Sequence, residues 1–206
     1  MGHVFVRLAG HGARLVPYWP YRFTGSAGSS TVQATVVGDG GERRAVVGPG
    51  AASVPGVVDV DAGPDGDWRL ELGPFSLCWP AGFAVESPTE PADGTPCYLL
   101  GPDQAMIFPQ GPVPLARLTG PDALVAPGQR VVHRRVLDDD IDVVELAYAH
   151  DGAAWWQAHW IIPVGRDLAL VLTGQAPAGA GAAVRTAGDR MAVTVTGVHH
   201  PDGQSA

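Results

Sequence analysis

The sequence predicts an α+β protein. A β-rich segment or small β-sandwich is expected over residues 1–72, a twisted antiparallel sheet with flanking helices over 73–197, and a tail at 198–206. Three observations predict this. The first third alternates at a period of two and shows no helical period. From about residue 73 strand-like runs continue but are interrupted by a mixed segment at 112–125. The end, AGAAVRTAGDRMAVTVT (180–196), is Ala-rich and puts Val184, Ala187, Met191 and Val195 on one apolar stripe, as an amphipathic helix does.

In chain order, HVFVRL, ARLVPYW, TVQATVV, RRAVV, VVDVD and WRLEL read as strands. Each is alternating or β-branched, and each is bounded by Gly, Pro, Asp or Ser. GPGAASVPG (48–56) is a turn-rich connection. FSLCWP and FAVES are strands broken at Pro80-Ala81-Gly82, and CYLLG and AMIFPQ follow as two more. PVPLARLTGPDALV (112–125) is expected to hold a short helix on either side of Gly120-Pro121. A meander then runs through RVVHRRVL, IDVVELAYA, AWWQAHWII and LALVLTG. Its turns fall at Asp138–Asp140, at His150-Asp151-Gly152-Ala153 and between Pro163 and Asp167. The final helix should stop near Val193, where the residues become β-branched.

The 206 residues suffice for a substantial core. At 46% apolar and 17% charged the chain reads as globular, and its 28 Gly and 19 Pro punctuate apolar runs without a repeat. It contains no Lys and no Asn, a composition expected of a GC-rich, actinobacterial type of genome. Without Lys there is no phosphate loop ending in Gly-Lys, no Schiff-base lysine and no Ser-Lys nucleophile. Net charge is −8, and the only adjacent basic pairs are Arg43-Arg44 and Arg134-Arg135, so no nucleic-acid partner is expected. No apolar run approaches the roughly 20 residues of a membrane helix, so no membrane insertion is expected. The N-terminus alternates like a strand instead of showing a signal sequence, and the expected location is cytoplasmic.

The stretch Trp79-Pro80-Ala81-Gly82-Phe83 gives an aromatic-flanked strand–Pro–x–Gly–aromatic opening. RDLALVLTGQAP leads into the helix ending GDRMAVTVT. In this order of elements, residues 70–197 resemble the Mog1/PsbP-like fold family. The resemblance implies a binding or assembly module (an adaptor, accessory subunit or chaperone), and it carries over no catalytic residues.

AHDGAAWWQAHWII (149–162) is the most unusual stretch. With Asp151-Gly152 as a two-residue turn, His150 faces Ala153, Tyr148 faces Trp155, Leu146 faces Gln157 and Val144 faces His159. Those residues and Ile161 share one face. Val143, Glu145, Ala147, Trp156, Ala158, Trp160 and Ile162 share the other, which is nearly all apolar and is expected in the core. On the first face Tyr148, Trp155, Gln157 and His159 are the candidate binding surface. Either that face is open and binds a partner, or another element covers it and its polar tips find internal partners.

Other chemistry is expected to be absent. His150 and His159 do not meet in this register, His133 stands alone, and His199-His200 sit in the tail, so no metal site is expected. Cys78 and Cys97 lack close partners and read as small core residues. From Asp61, a calcium-loop template finds Asp65 and Gly66 in place but fails at Gly63 and Leu72. GSAGSS (25–30) is not a nucleophile elbow, and GAGAAV (179–184) lacks the third glycine of a dinucleotide fingerprint. No cofactor is expected.

The sequence therefore predicts a non-catalytic module that presents an aromatic sheet face to a protein partner, its oligomeric state being left open. A carbohydrate- or small-molecule-binding protein is the first alternative. A hydrolase with dispersed Asp, Glu and His residues is the second, and it requires a pocket holding a Ser, Cys or carboxylate beside a histidine.

Overall fold

The computed structural model describes residues 6–17, 20–25, 29–38, 40–49, 57–61, 67–90, 92–120 and 122–197. The tail with His199-His200, most of the 48–56 connection, and Gly63, Asp65 and Gly66 lie outside them. The strands are β1 (Arg7–Ala9), β2 (Arg14–Pro17), β3 (Tyr21–Thr24), β4 (Val32–Gly38), β5 (Gly41–Val47), β6 (Val57–Asp61), β7 (Arg69–Leu72) and β8 (Phe75–Cys78). They continue with β9 (Ala84–Glu86), β10 (Tyr98–Leu100), β11 (Met106–Pro114), β12 (Arg130–Leu137), β13 (Ile141–His150), β14 (Ala153–Pro163), β15 (Leu168–Pro177) and β16 (Thr196–Gly197). Helix α1 spans Gly181–Val193.

These strands form two antiparallel sheets. One has ten strands in the order β12-β13-β14-β15-β11-β10-β9-β3-β4-β5, the other six in the order β16-β8-β7-β1-β2-β6. The expected α+β class with flanking helices is therefore corrected to a mostly β fold with one α-helix among the described residues. The reason lies in 112–125. Pro112 and Pro114 lack the N–H that a helix interior needs, and each pushes the residue before it toward extended backbone. Strand β11 accordingly runs through to Pro114, one 3₁₀ turn forms at Leu115–Arg117, and helical structure stops there.

Strands of the first third enter both sheets. β3 pairs with β9, placing β3–β5 at the end of the ten-stranded sheet, while β1 pairs with β7 and β7 with β8. The two sheets and α1 fill one continuous core. It includes Leu8, Leu15, Leu70 and Leu77 from the small sheet, Phe23, Leu99, Ile107 and Leu172 from the large one, and Val184 and Met191 from the helix. Cys78 and Cys97 are buried free thiols within it.

The hairpin β13–β14 sets the candidate surface. Asp151 and Gly152 have φ of 50° and 75°, the left-handed pair a two-residue primed turn requires. The register is the expected one, with His150↔Ala153, Tyr148↔Trp155, Leu146↔Gln157 and Val144↔His159. Its apolar face meets α1. The Trp160 indole is fully buried and lies against Gly188 of the helix and Gly174 of β15, where a side chain would collide with it. Burying about 200 Å² of indole stabilises the packing by about 5 kcal/mol.

Glu145, the charged member of that face, is 3% exposed. Arg185 of α1 donates to both its oxygens, at 3.0 and 2.6 Å, and Trp156 Nε1 donates at 3.1 Å. Arg135 lies 3.5 Å from Glu145 and donates at 2.5 Å to Asp189, which also accepts from Trp160 Nε1 at 2.6 Å. Burial pushes the Glu145 carboxyl up, but Arg185, Trp156 and Arg135 together hold it below its ordinary value. The interface is thus apolar packing around a satisfied ion network.

Candidate functional site

The four residues singled out from sequence share one sheet face but end up in two environments. Cross-strand rows run Tyr148–Trp155–Pro177, then Leu146–Gln157–Gln175, then Val144–His159–Thr173. Burial rises along them. Tyr148, Trp155 and Gln157 are half-buried, whereas His159 and Thr173 are buried.

The inner rows are covered by the connection between β11 and β12. Gln129 Nε2 donates to Gln157 Oε1 at 2.8 Å, and Gln157 Nε2 lies 2.9 Å from His159 Nε2. His159 Nδ1 lies 2.9 Å from Thr173 Oγ1, which donates to Gln110 Oε1 at 3.2 Å. The directions agree if His159 is neutral, accepting at Nε2 and donating from Nδ1. Burial lowers its pKa to about 4, and a hydrogen bond to the Leu124 backbone offsets part of the shift. Gln157 and His159 therefore knit the sheet to its covering segment.

This placement sets a pH dependence. The unfolded chain protonates His159 near 6.5 and the folded chain only near 4, so the unfolded state binds more protons between those values. Stability contributed by the neutral ring is complete above pH 6.5 and falls as pH drops toward 4. From pH 7.5 to 5 the wild type should lose about 2 kcal/mol more than His159→Gln, measured by urea unfolding. Equal losses in the two proteins would contradict the neutral buried ring.

The outer row is open. Tyr148 and Trp155 lie nearly parallel, ring centroids 6.2 Å apart and planes 26° from each other, and the His150 ring meets Trp155 edge-on at 6.0 Å. With Pro177, Gln104, Gln175, His150 and Asp151 they line a cleft of about 690 Å³. Partial burial pushes the Tyr148 hydroxyl up, so it remains a neutral hydrogen-bonding group at neutral pH. Gln104 arrives from the β10–β11 turn, where Asp103 and Gln104 have φ of 53° and 61°. Gln175 comes from β15, opposite Gln157.

Neither glutamine is legible as a site residue from sequence. Their placement depends on β11 and β15 lying beside the hairpin, and no short-range pattern encodes that. His150 and Asp151 approach to 3.5 Å with side chains 64% and 91% exposed, so this carboxylate–histidine pair sits in solvent at the tip of a turn. The eight lining residues include no Ser, Thr or Cys. Among the described residues no group of three His, Cys, Asp or Glu side chains could hold a metal ion.

No family model matches the chain, and no curated protein matches it. Among solved structures it is similar to LpqN, involved in cell envelope biogenesis of Mycobacterium tuberculosis. The match has 19% identity and a TM-score of 0.31, covering 58% of this chain and 73% of that one. Among the described residues no helix is long and apolar enough to cross a membrane.

Proposed function

We propose that this chain is a non-catalytic binding module whose ligand is a carbohydrate, held in the cleft at the tip of the β13–β14 hairpin. The observation that carries the reading is the near-parallel Tyr148–Trp155 pair lining an open concavity together with two glutamines, a histidine and an aspartate. Aromatic faces stack against the C–H faces of a sugar ring, while amide and carboxylate groups beside them satisfy its hydroxyls. The cleft volume falls in the range that encloses small ligands, and a flat protein contact needs no such concavity. Binding is favoured over hydrolysis because the carboxylate–histidine pair is solvated, and a working acid or base is ordinarily tuned by burial and neighbours.

The test is calorimetric titration with a panel of neutral oligosaccharides. The wild type should bind at least one member, and Trp155→Ala should weaken that binding at least about tenfold, the loss of about 1.4 kcal/mol of stacking. His150→Ala should leave the affinity within a few-fold, since its ring meets Trp155 only at the edge. Silence across the panel, or undiminished binding by Trp155→Ala, would overturn the carbohydrate reading.

A further inference from the structure

The hairpin cleft shares its sheet face with a second concavity. That one, of about 300 Å³, is lined by Tyr98, Leu100 and Met106 of β10 and β11 and by Thr89, Glu90 and Asp93 of the connection after β9, among others. The register ties the two together. Gln157 lies opposite Gln175, Gln175 opposite Met106 and Met106 opposite Leu100, with no bulge over these positions. Side chains two residues apart share a face, so Trp155, Gln175, Met106, Leu100 and Tyr98 all stand on the side away from α1. Their alternates Val85, Leu99 and Ile107 are fully buried on the core side. Gln175 lines the first cleft and Met106 the second, and the two residues are cross-strand neighbours. The β10–β11 hairpin serves both clefts, with Gln104 at its turn and Leu100 and Met106 on its arms.

The second cleft repeats the chemistry of the first. Tyr98 is half-buried, its ring tilted against Phe108 at 5.7 Å, and its hydroxyl donates to Asp93 Oδ2 at 2.7 Å. These contacts hold an aromatic ring in place beside hydrogen-bonding groups. The lining includes no Arg or His. Arg22 offsets Glu86 at 3.4 Å, which leaves the charges of Glu90 and Asp93 in the second cleft and of Asp151 in the first. Carboxylates accept from hydroxyls and repel other anions. Trp155 and Tyr98 are three strand spacings and four residues apart on the sheet, about 20 Å in all. That span is longer than a mono- or disaccharide. A ligand that reaches both rings makes its second contact within one complex, so it binds more tightly than either cleft would alone. We propose that the two clefts are subsites of one site, which takes a neutral linear oligosaccharide lying across the sheet from Trp155 to Tyr98. This extension rests on the carbohydrate reading of the hairpin cleft.

The experiment is calorimetric titration with ladders of gluco-, manno- and xylo-oligosaccharides, from mono- to hexasaccharide. The proteins are the wild type, Trp155→Ala, Tyr98→Ala and Thr89→Arg, with circular dichroism confirming that each variant is folded. In at least one ladder the longest members should bind the wild type at least about tenfold more tightly than the disaccharide. Tyr98→Ala should remove that gain and leave the disaccharide affinity unchanged. Thr89→Arg should do the same by obstructing the second cleft from an exposed position, where the fold tolerates substitution. Trp155→Ala should weaken every length. An oligogalacturonate of equal length should bind at least about tenfold more weakly than the neutral chain. Affinity independent of length, yet still lowered by Trp155→Ala, would overturn the extended site and leave the hairpin-cleft reading standing. A length gain untouched by both Tyr98→Ala and Thr89→Arg would overturn it too, as would a galacturonate that binds equally well. Silence toward all three ladders would overturn both readings together.

Discussion

Gly188→Ala should lower the unfolding temperature substantially, although alanine is the better helix former. In an exposed helix the change would gain about 1 kcal/mol. Here a β-carbon would sit 2.8 Å from Trp160 Cε2 and closer still to Cζ2 and Cη2. The indole has nowhere to retreat, because it is fully buried and a β-carbon at Gly174 on its other flank would already lie 3.0 Å from it. Overpacking of this kind costs about 3 kcal/mol or more and outweighs the propensity gain. A net loss of about 2 kcal/mol lowers the unfolding temperature by about 4–8 °C in a chain of this size. Differential scanning calorimetry checks it. Combined with Trp160→Phe, which itself destabilises, Gly188→Ala should cost much less than it does alone. Unchanged or raised stability in the single variant would mean that α1 stands further from the sheet than described.

Glu145→Ala should be the second severe substitution, with an expected loss of about 3–5 kcal/mol by denaturant unfolding. The carboxylate accepts from Arg185, Trp156 and Arg135 inside the helix–sheet contact. Removing it strands the buried Trp156 donor and leaves Arg185 without its counter-ion. Arg185 is 41% exposed on its side chain and can turn to water, so part of the penalty is relieved. Arg135 keeps Asp189. Two variants separate the contributions. Glu145→Gln preserves shape and one acceptor and should cost about half as much, whereas Arg185→Met should cost less than Glu145→Ala because it removes only the exposed partner. Glu145 also links stability to acid, since a carboxyl held below its ordinary value stabilises above that value and loses the contribution as pH falls through the folded pKa.

Much of the local structure is written in short stretches. Asp151-Gly152 fixes a turn, and a period of two then assigns every side chain from Val143 to Ile162 to a face, so the hairpin register is legible before any tertiary contact is known. Val184, Ala187 and Met191 likewise mark the buried stripe of α1. The strand patterns of the first third are equally plain, but the sheet each strand joins is not. Tyr21–Thr24 pairs with a strand about sixty residues away, and a chain of polar turns carries no address. The fold class departs from the expected one at 112–125, where Pro112 and Pro114 favour extended backbone and leave one 3₁₀ turn in place of the expected helices.

The aromatic face shows the same limit. Its composition is local, whereas its coverage is tertiary. Gln129 and Leu124 reach Gln157 and His159 from a connection with no periodic signal, which divides the face into a sealed half and an open one. Glu145 stood out only as an exception in an apolar row, since its partners Arg185 and Arg135 lie on other elements.

Strand β16 gives the molecule a late step in its making. Thr196 and Gly197 pair with Ser76 and Phe75 of β8, and Thr194 Oγ1 accepts the Cys78 backbone N–H at 3.0 Å. A ribosome working at roughly 5–20 residues per second therefore leaves one side of β8 unpaired for on the order of ten seconds after it emerges. The Trp160 indole likewise waits for α1 to be translated. A nascent chain thus displays an open strand edge and a bare aromatic shelf together until α1 and β16 cover both. The vulnerable moment for this fold is its translation.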